Sequence, residues 1–362
     1  MTSAGKTRSA RRAEAQADWA DLSLIGHCVS GCAEGERRGL AETPGEWERL
    51  VALASEQMVA PALGWCLEGA DGIPAPVAHV FGALFELNDE RNRRVLTTLV
   101  RATHALNAVG IQPLLLKGAA MLAAGDYPAP GLRVLLDCDL MVPPDQAQSA
   151  FAALESVGFY AHNEPSPGHH HLPMQRDPET SVSVELHHAA ARPNFVRMVD
   201  RAGALAQATE VGVGGGIALI PGANWRVAHN IVHSQIVDRR HRAARPSLRQ
   251  LLDLSVLRRR HGTAIDWVWQ SRHFARFGFA AVLRDNLALA EALLGEPAPA
   301  GSTADAQAAR QRFLDAAARG KIDARIRKAA WRIGDAARDL RHDPATIVAW
   351  LKTPAKLRRL FR

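Results

Sequence analysis

Between Trp19 and Ala108 apolar residues return at helical spacing, most clearly at Leu96, Leu99, Val100, Thr103 and Leu106, with breaks at Thr43-Pro44-Gly45 and Asp71-Gly72-Ile73-Pro74. The pattern predicts a helical lobe of four or five segments over 18–108, with Gly110 as the residue that closes its last helix. Residues 1–17 show no apolar period and predict a disordered lead-in. Beyond Gly110 the period changes. A short apolar run, Ile111 to Leu116, meets Lys117-Gly118; Ala119 to Ala124 reads as a helical turn or two, and Arg133 to Val142 as a strand stopped by Pro143-Pro144. A helix over 145–157 and a short strand from Phe159 to Ala161 follow. Ser181 to His188 alternates, with Val182, Val184 and Leu186 on one side and Ser183, Glu185 and His187 on the other. Two apolar runs around Gly214, Gly215 and Gly216 predict a hairpin, and from Asn224, a good N-cap, helical patterning runs to the end. The expected class is α+β: helical lobe, mixed unit over 109–222, helical region over 223–362.

Composition narrows this further. At 362 residues, 47% hydrophobic and 22% charged, the chain can bury a substantial core. No apolar run approaches the length of a membrane span, and the first residues lack an export signal, so a cytoplasmic protein is expected. Cys28, Cys32, Cys66 and Cys138 have no C-x-x-C spacing and read as reduced, buried side chains. The net charge of +7 belongs to the tail: residues 301–362 hold 15 Lys or Arg against 6 Asp. That segment could meet nucleic acid, an acidic lipid surface or an acidic protein, or be a solvated helical face. Its few aromatics argue against a platform for stacked bases.

The candidate chemistry is carboxylate. Asp137-Cys138-Asp139 places two acids on one face of a strand whose other face, Leu136, Cys138 and Leu140, is apolar. Like charges so close call for a cation, and hard oxygen donors suit Mg²⁺ or Mn²⁺; the alternative is a solvated face with two ordinary aspartates. Glu185 on a second alternating strand is the third acid a two-metal site requires. Lys117 and Gly118, between a short strand and a helical segment, suit a triphosphate, although Lys117 could equally be a surface lysine. Arg133 could pair with phosphate or with a carboxylate. His169, His170 and His171, with His187 and His188, have neither a cysteine partner nor helical i, i+4 spacing, and read as a mobile loop over the pocket rather than a transition-metal cluster. The glycines at 212–216 do not fit a dinucleotide fingerprint.

These residues resemble a family. Leu116-Lys117-Gly118-Ala119-Ala120, Tyr127-Pro128, Gly131-Leu132-Arg133, Asp137 through Val142, Gly158-Phe159 and Val184-Glu185-Leu186-His187 closely resemble the uncharacterised bacterial nucleotidyltransferases of the DNA polymerase β superfamily. Ala228 to His233 and Leu248 to Leu254 resemble that family's helical C-terminal half, so the likeness spans about residues 20–295. The resemblance implies a polymerase β-like palm between the helical regions, in which Asp137, Asp139 and Glu185 hold two Mg²⁺ ions, with Mn²⁺ as the alternative ion. It implies attack by an acceptor hydroxyl on a nucleoside triphosphate with release of pyrophosphate, Glu185 as the base, and phosphates steadied by Lys117, Gly118, Ala119 and Arg133. The acceptor would be a small molecule, a protein or an RNA. The wider superfamily has a glycine-serine pair, followed after roughly a dozen residues by the aspartates, as a motif hypothesis. Here Ala119 replaces the serine and Asp137 lies further on. A catalytically weak nucleotide- or partner-binding module that keeps the fold is therefore the second expectation.

Overall fold

The computed structural model describes residues 7–40, 42, 44–163 and 170–319. Its N-terminal helices are α1 (Arg8–Ser30), α2 (Trp47–Glu56), α3 (Ala60–Leu67) and α4 (Ala75–Ala108). The mixed unit holds β1 (Leu114–Leu115), α5 (Lys117–Ala123), β2 (Cys138–Met141), α6 (Ala147–Ser156), β3 (Tyr160–Ala161), β4 (Gln175–Arg176), β5 (Ser183–His187), α7 (Arg201–Ala206), β6 (Thr209–Val213) and β7 (Gly216–Ile220). Then come α8 (Ala223–Ile231), which runs into a π-helical turn at Val232–Val237, α9 (Arg240–Ala243), α10 (Leu248–His261), α11 (Trp267–Arg276), α12 (Ala280–Leu294) and α13 (Ala306–Ala317). No described helix is long and apolar enough to cross a membrane.

The strands form a mixed sheet of order β3-β4-β5-β2-β1-β7-β6. The alternation in β2 and β5 builds one layer of the molecule: Cys138, Leu140, Val184 and Leu186 pack with Val95, Leu99 and Leu106 of α4 and Ala150 and Leu154 of α6. The opposite face of the same two strands carries Asp139, Ser183, Glu185 and His187, with Met141 the apolar exception.

Several expectations are corrected. The lead-in is helical from Arg8, because Thr7 caps the amide of Ala10 and Ala15, Trp19, Leu22 and Ile25 give α1 a buried stripe; residues 1–6 lie outside the described residues. The strand expected from Arg133 starts only at Cys138. Ahead of it the backbone has no ladder partner and is gripped by α4 instead: Asn88 donates to the carbonyls of Gly131 and Arg133, Asn92 to those of Pro130 and Arg133, and Arg91 to those of Leu135 and Leu136. Leu136 is exposed rather than in the core. Asn224 sits inside α8, whose cap is Gly222, and accepts the amide of Asp266.

The helical regions are not separate lobes. Trp19, Leu22 and Ile25 of α1 share one core with Leu252 and Leu257 of α10 and Leu287 and Leu293 of α12, and α13 docks on α1 through Trp19–Phe313 and the Arg12–Asp315 pair. Of the basic segment 301–362, residues 320–362 lie outside the described residues.

Candidate active site

β2 and β5 run parallel and in a register that sets Asp139 directly beside Glu185 and Met141 beside His187. Because side chains alternate, Asp139 (4% exposed) and Glu185 emerge on the polar face, and His187, two residues after Glu185, emerges beside them. The His187 Nε2 lies 2.8 Å from Asp139 Oδ1 and 3.3 Å from Glu185 Oε2. One ligand atom from each of the three lies within 4.8 Å of the others. That spacing and donor set fit a divalent cation, which holds nitrogen and oxygen donors at about 2.0–2.2 Å.

Lys117 reaches the same point from across β1. Its Nζ lies 2.6 Å from Asp139 Oδ1. The residue opens α5 with a φ of 46°, a left-handed backbone that a lysine adopts only where surroundings impose it. Asp137, at the mouth of β2, is partly exposed and stands outside the tight donor group, although its charge is felt by the others.

The electrostatics follow from burial set against these partners. Burial, and then the negative charges of Asp139 and Glu185, raise Asp137 to about 6. Burial also acts to raise Asp139, yet Lys117 and His187 outweigh it and hold that carboxyl well below the ordinary range. Glu185 is lowered: its hydrogen bond with His187 overcomes desolvation. His187 is fully buried, a state that disfavours the imidazolium, but its bonds to the two carboxylates prevail and raise it. Burial likewise disfavours the Lys117 ammonium, and Asp139 with Asp137 and Glu185 more than restores it. The result is a pair of ionised acids held between a lysine and a histidine.

Three residues expected at phosphate are placed otherwise. Arg133 is buried and committed to Asp253, Nε to Oδ1 at 2.8 Å and Nη2 to Oδ2 at 2.9 Å, and Tyr127 donates to the same carboxylate. Gly118 serves that pair: a Cβ there would stand 2.1 Å from Arg133 Nη1, so the missing side chain is the space the guanidinium fills. Ala119 turns its methyl into the core behind the sheet. Of the three adjacent histidines, His169 lies outside the described residues, while the rings of His170 and His171 pack on His187 with centroids 5.2 and 5.5 Å away.

The sequence offered His187 only as part of a transition-metal histidine cluster, a reading set aside in favour of a loop, whereas the structure puts it with Asp139 and Glu185 in one donor group. Sequence reading also missed the cleft beside Lys117, lined by Trp225, His229, Asn230, His233 and Gln250. There burial, reinforced by the Lys117 charge, lowers His229 to about 3 and His233 well below its usual value, so both imidazoles are neutral. Their i, i+4 spacing on one helix was legible; the helix facing the carboxylates was not.

No curated protein matches the chain. A crystal structure of an antigenic nucleotidyltransferase-like protein from Paracoccidioides brasiliensis aligns over 56% of this chain and 97% of its own, at 16% identity and a TM-score of 0.35, too loose a likeness to carry an argument. The family model described as uncharacterised nucleotidyltransferase matches residues 43–295, well over half of the sequence. The chain belongs to the uncharacterised nucleotidyltransferase family.

Proposed function

We propose that this protein transfers a nucleoside monophosphate from a nucleoside triphosphate to an acceptor hydroxyl in a divalent-metal-dependent reaction. The observation that carries the reading is the in-register pair Asp139 and Glu185 on adjacent parallel strands, with Asp137 at the strand mouth, in a member of this family. In the transfer a bond forms between the acceptor oxygen and the α-phosphorus, the bond from the α-phosphorus to the α–β bridging oxygen breaks so that pyrophosphate leaves with that oxygen, and the hydroxyl proton passes to a base. Glu185, held ionised by His187, is the protein group for that proton. Lys117, whose ammonium sits at the carboxylates, meets the phosphate charge. Divalent ions, Mg²⁺ or Mn²⁺, would be held by these carboxylates and would supply polarisation of the phosphoryl oxygens and charge for the leaving group. The acceptor is a small molecule, a protein side chain or an RNA end, the last met by the basic segment 301–362.

The test is incubation of purified protein with each labelled triphosphate and Mg²⁺ or Mn²⁺, alone and with cell extract. Pyrophosphate release and label on a defined product are expected, with both lost by at least about a hundredfold in Asp139→Ala and Glu185→Ala. A second reading, a weakly active nucleotide-binding module, draws on the closed Lys117–Asp139 pair and on Ala119 in place of a hydroxyl. It predicts triphosphate binding with no product in any arm.

A further inference from the structure

The tight donor group contains an imidazole and leaves out Asp137. Two of its members, Glu185 and His187, come from one face of β5, and the third, Asp139, from the adjoining strand. The distances from His187 Nε2 to the two carboxylates, 2.8 and 3.3 Å, are the edge lengths expected of ligands that share one ion at about 2.0–2.2 Å. A second observation concerns the ring's burial. His187 is 0% exposed, and its Nδ1 is buried with no hydrogen-bond partner. With Nδ1 unpartnered, the hydrogen-bonding contacts of this buried ring run through Nε2, which faces both carboxylates. The rings of His170 and His171 cover it, and the Lys117 ammonium rests on the same Asp139 oxygen, marking where positive charge is wanted.

Magnesium prefers oxygen donors and keeps much of its water, whereas imidazole suits the later first-row ions. We propose that Asp139, Glu185 and the Nε2 of His187 together ligate one transition ion of the Fe²⁺ to Zn²⁺ series, in preference to Mg²⁺. This deepens the transferase reading, on which only the use of the ion rests; binding of the ion is read without turnover.

The experiment titrates metal-free protein with MgCl₂, MnCl₂, CoCl₂ and ZnCl₂ by calorimetry and follows the Co²⁺ d–d absorption. Wild-type protein should bind Co²⁺ and Zn²⁺ at least about a hundredfold more tightly than Mg²⁺, and His187→Gln should lose at least about tenfold for Co²⁺ and Zn²⁺ while Mg²⁺ binding holds. Since the variant could misfold, near-UV circular dichroism is recorded, and pulsed electron paramagnetic resonance of Co²⁺-loaded wild type reports whether a nitrogen is bound, with no substitution needed. A nitrogen coupling supports the proposal. Its absence, or equal losses for Mg²⁺, Co²⁺ and Zn²⁺ in a folded His187→Gln, overturns it. Pyrophosphate release with Mg²⁺ and no nitrogen coupling would sink this inference alone, whereas nitrogen-ligated metal with no transfer in any arm would sink the transferase reading alone.

Discussion

Asp137 carries an energetic burden that the other site residues do not. Its carboxyl is raised from 3.8 to about 6, so between those values the folded protein binds a proton that the unfolded chain has released. Stability from this group is therefore present at low pH and is lost as pH rises from about 4 through about 6. Asp137→Asn removes the repulsion with Asp139 and Glu185. In metal-free protein it should stabilise the fold by about 1–2 kcal/mol above pH 6, a figure discounted for the partial exposure of this side chain, with the difference from wild type closing near pH 4. Paired thermal melts across that range check it, and a difference that widens toward acid would contradict it. Behind the site, the Arg133–Asp253 pair depends on the vacancy at Gly118. Gly118→Ala forces the guanidinium from its seat and should cost about 3–5 kcal/mol, the range for a broken buried pair, measured by urea unfolding.

At the scale of elements, the strands deliver the acids, but α4 sets where they arrive. Asn88 and Asn92, one turn apart and buried, hold four carbonyl contacts of the segment that leads into β2. Asn88→Ala leaves the carbonyl of buried Gly131 without its donor and the Arg133 carbonyl with one donor in place of two, and should cost about 1–3 kcal/mol. Hydrogen exchange should quicken over 130–137 while β5 stays protected; unchanged exchange there would show that Asn88 does not hold the segment. These two asparagines explain what could and could not be read in the sequence. The period of two in β5 already put Glu185 and His187 on one face and Val184 and Leu186 on the other, because alternation is a local property of the chain. The register of Asp139 on Glu185, the grip of α4 on residues 130–136, and the pairing of Arg133 with Asp253 join positions far apart in sequence. Such contacts leave no local period, so Arg133 could be read toward phosphate or toward a carboxylate with nothing to choose Asp253, and the residues before Cys138 looked like strand.

At the scale of the whole molecule, the same distinction decides how the protein comes apart. Local patterning divides the chain into helical lobe, mixed unit and helical region, yet the apolar contacts divide it differently: one core joins the first helix to the last ones, while a second lies under β2 and β5. One tight junction is α1 on α12, where a Cβ on Gly26 would stand 2.2 Å from the carbonyl oxygen of Leu293. A backbone atom cannot turn aside as a side-chain end does, so Gly26→Leu must push the two helices apart. A cost of about 1–3 kcal/mol follows from overpacking, and it should be shared across the junction. Hydrogen exchange then discriminates between the two divisions of the chain. If one core unites the termini, Gly26→Leu speeds exchange in α12 and α10 as well as in α1, and leaves β2 and β5 near wild type. If the helical regions were independent lobes, α12 would keep its protection while α1 lost its own, because nothing in α12 would depend on where α1 sits.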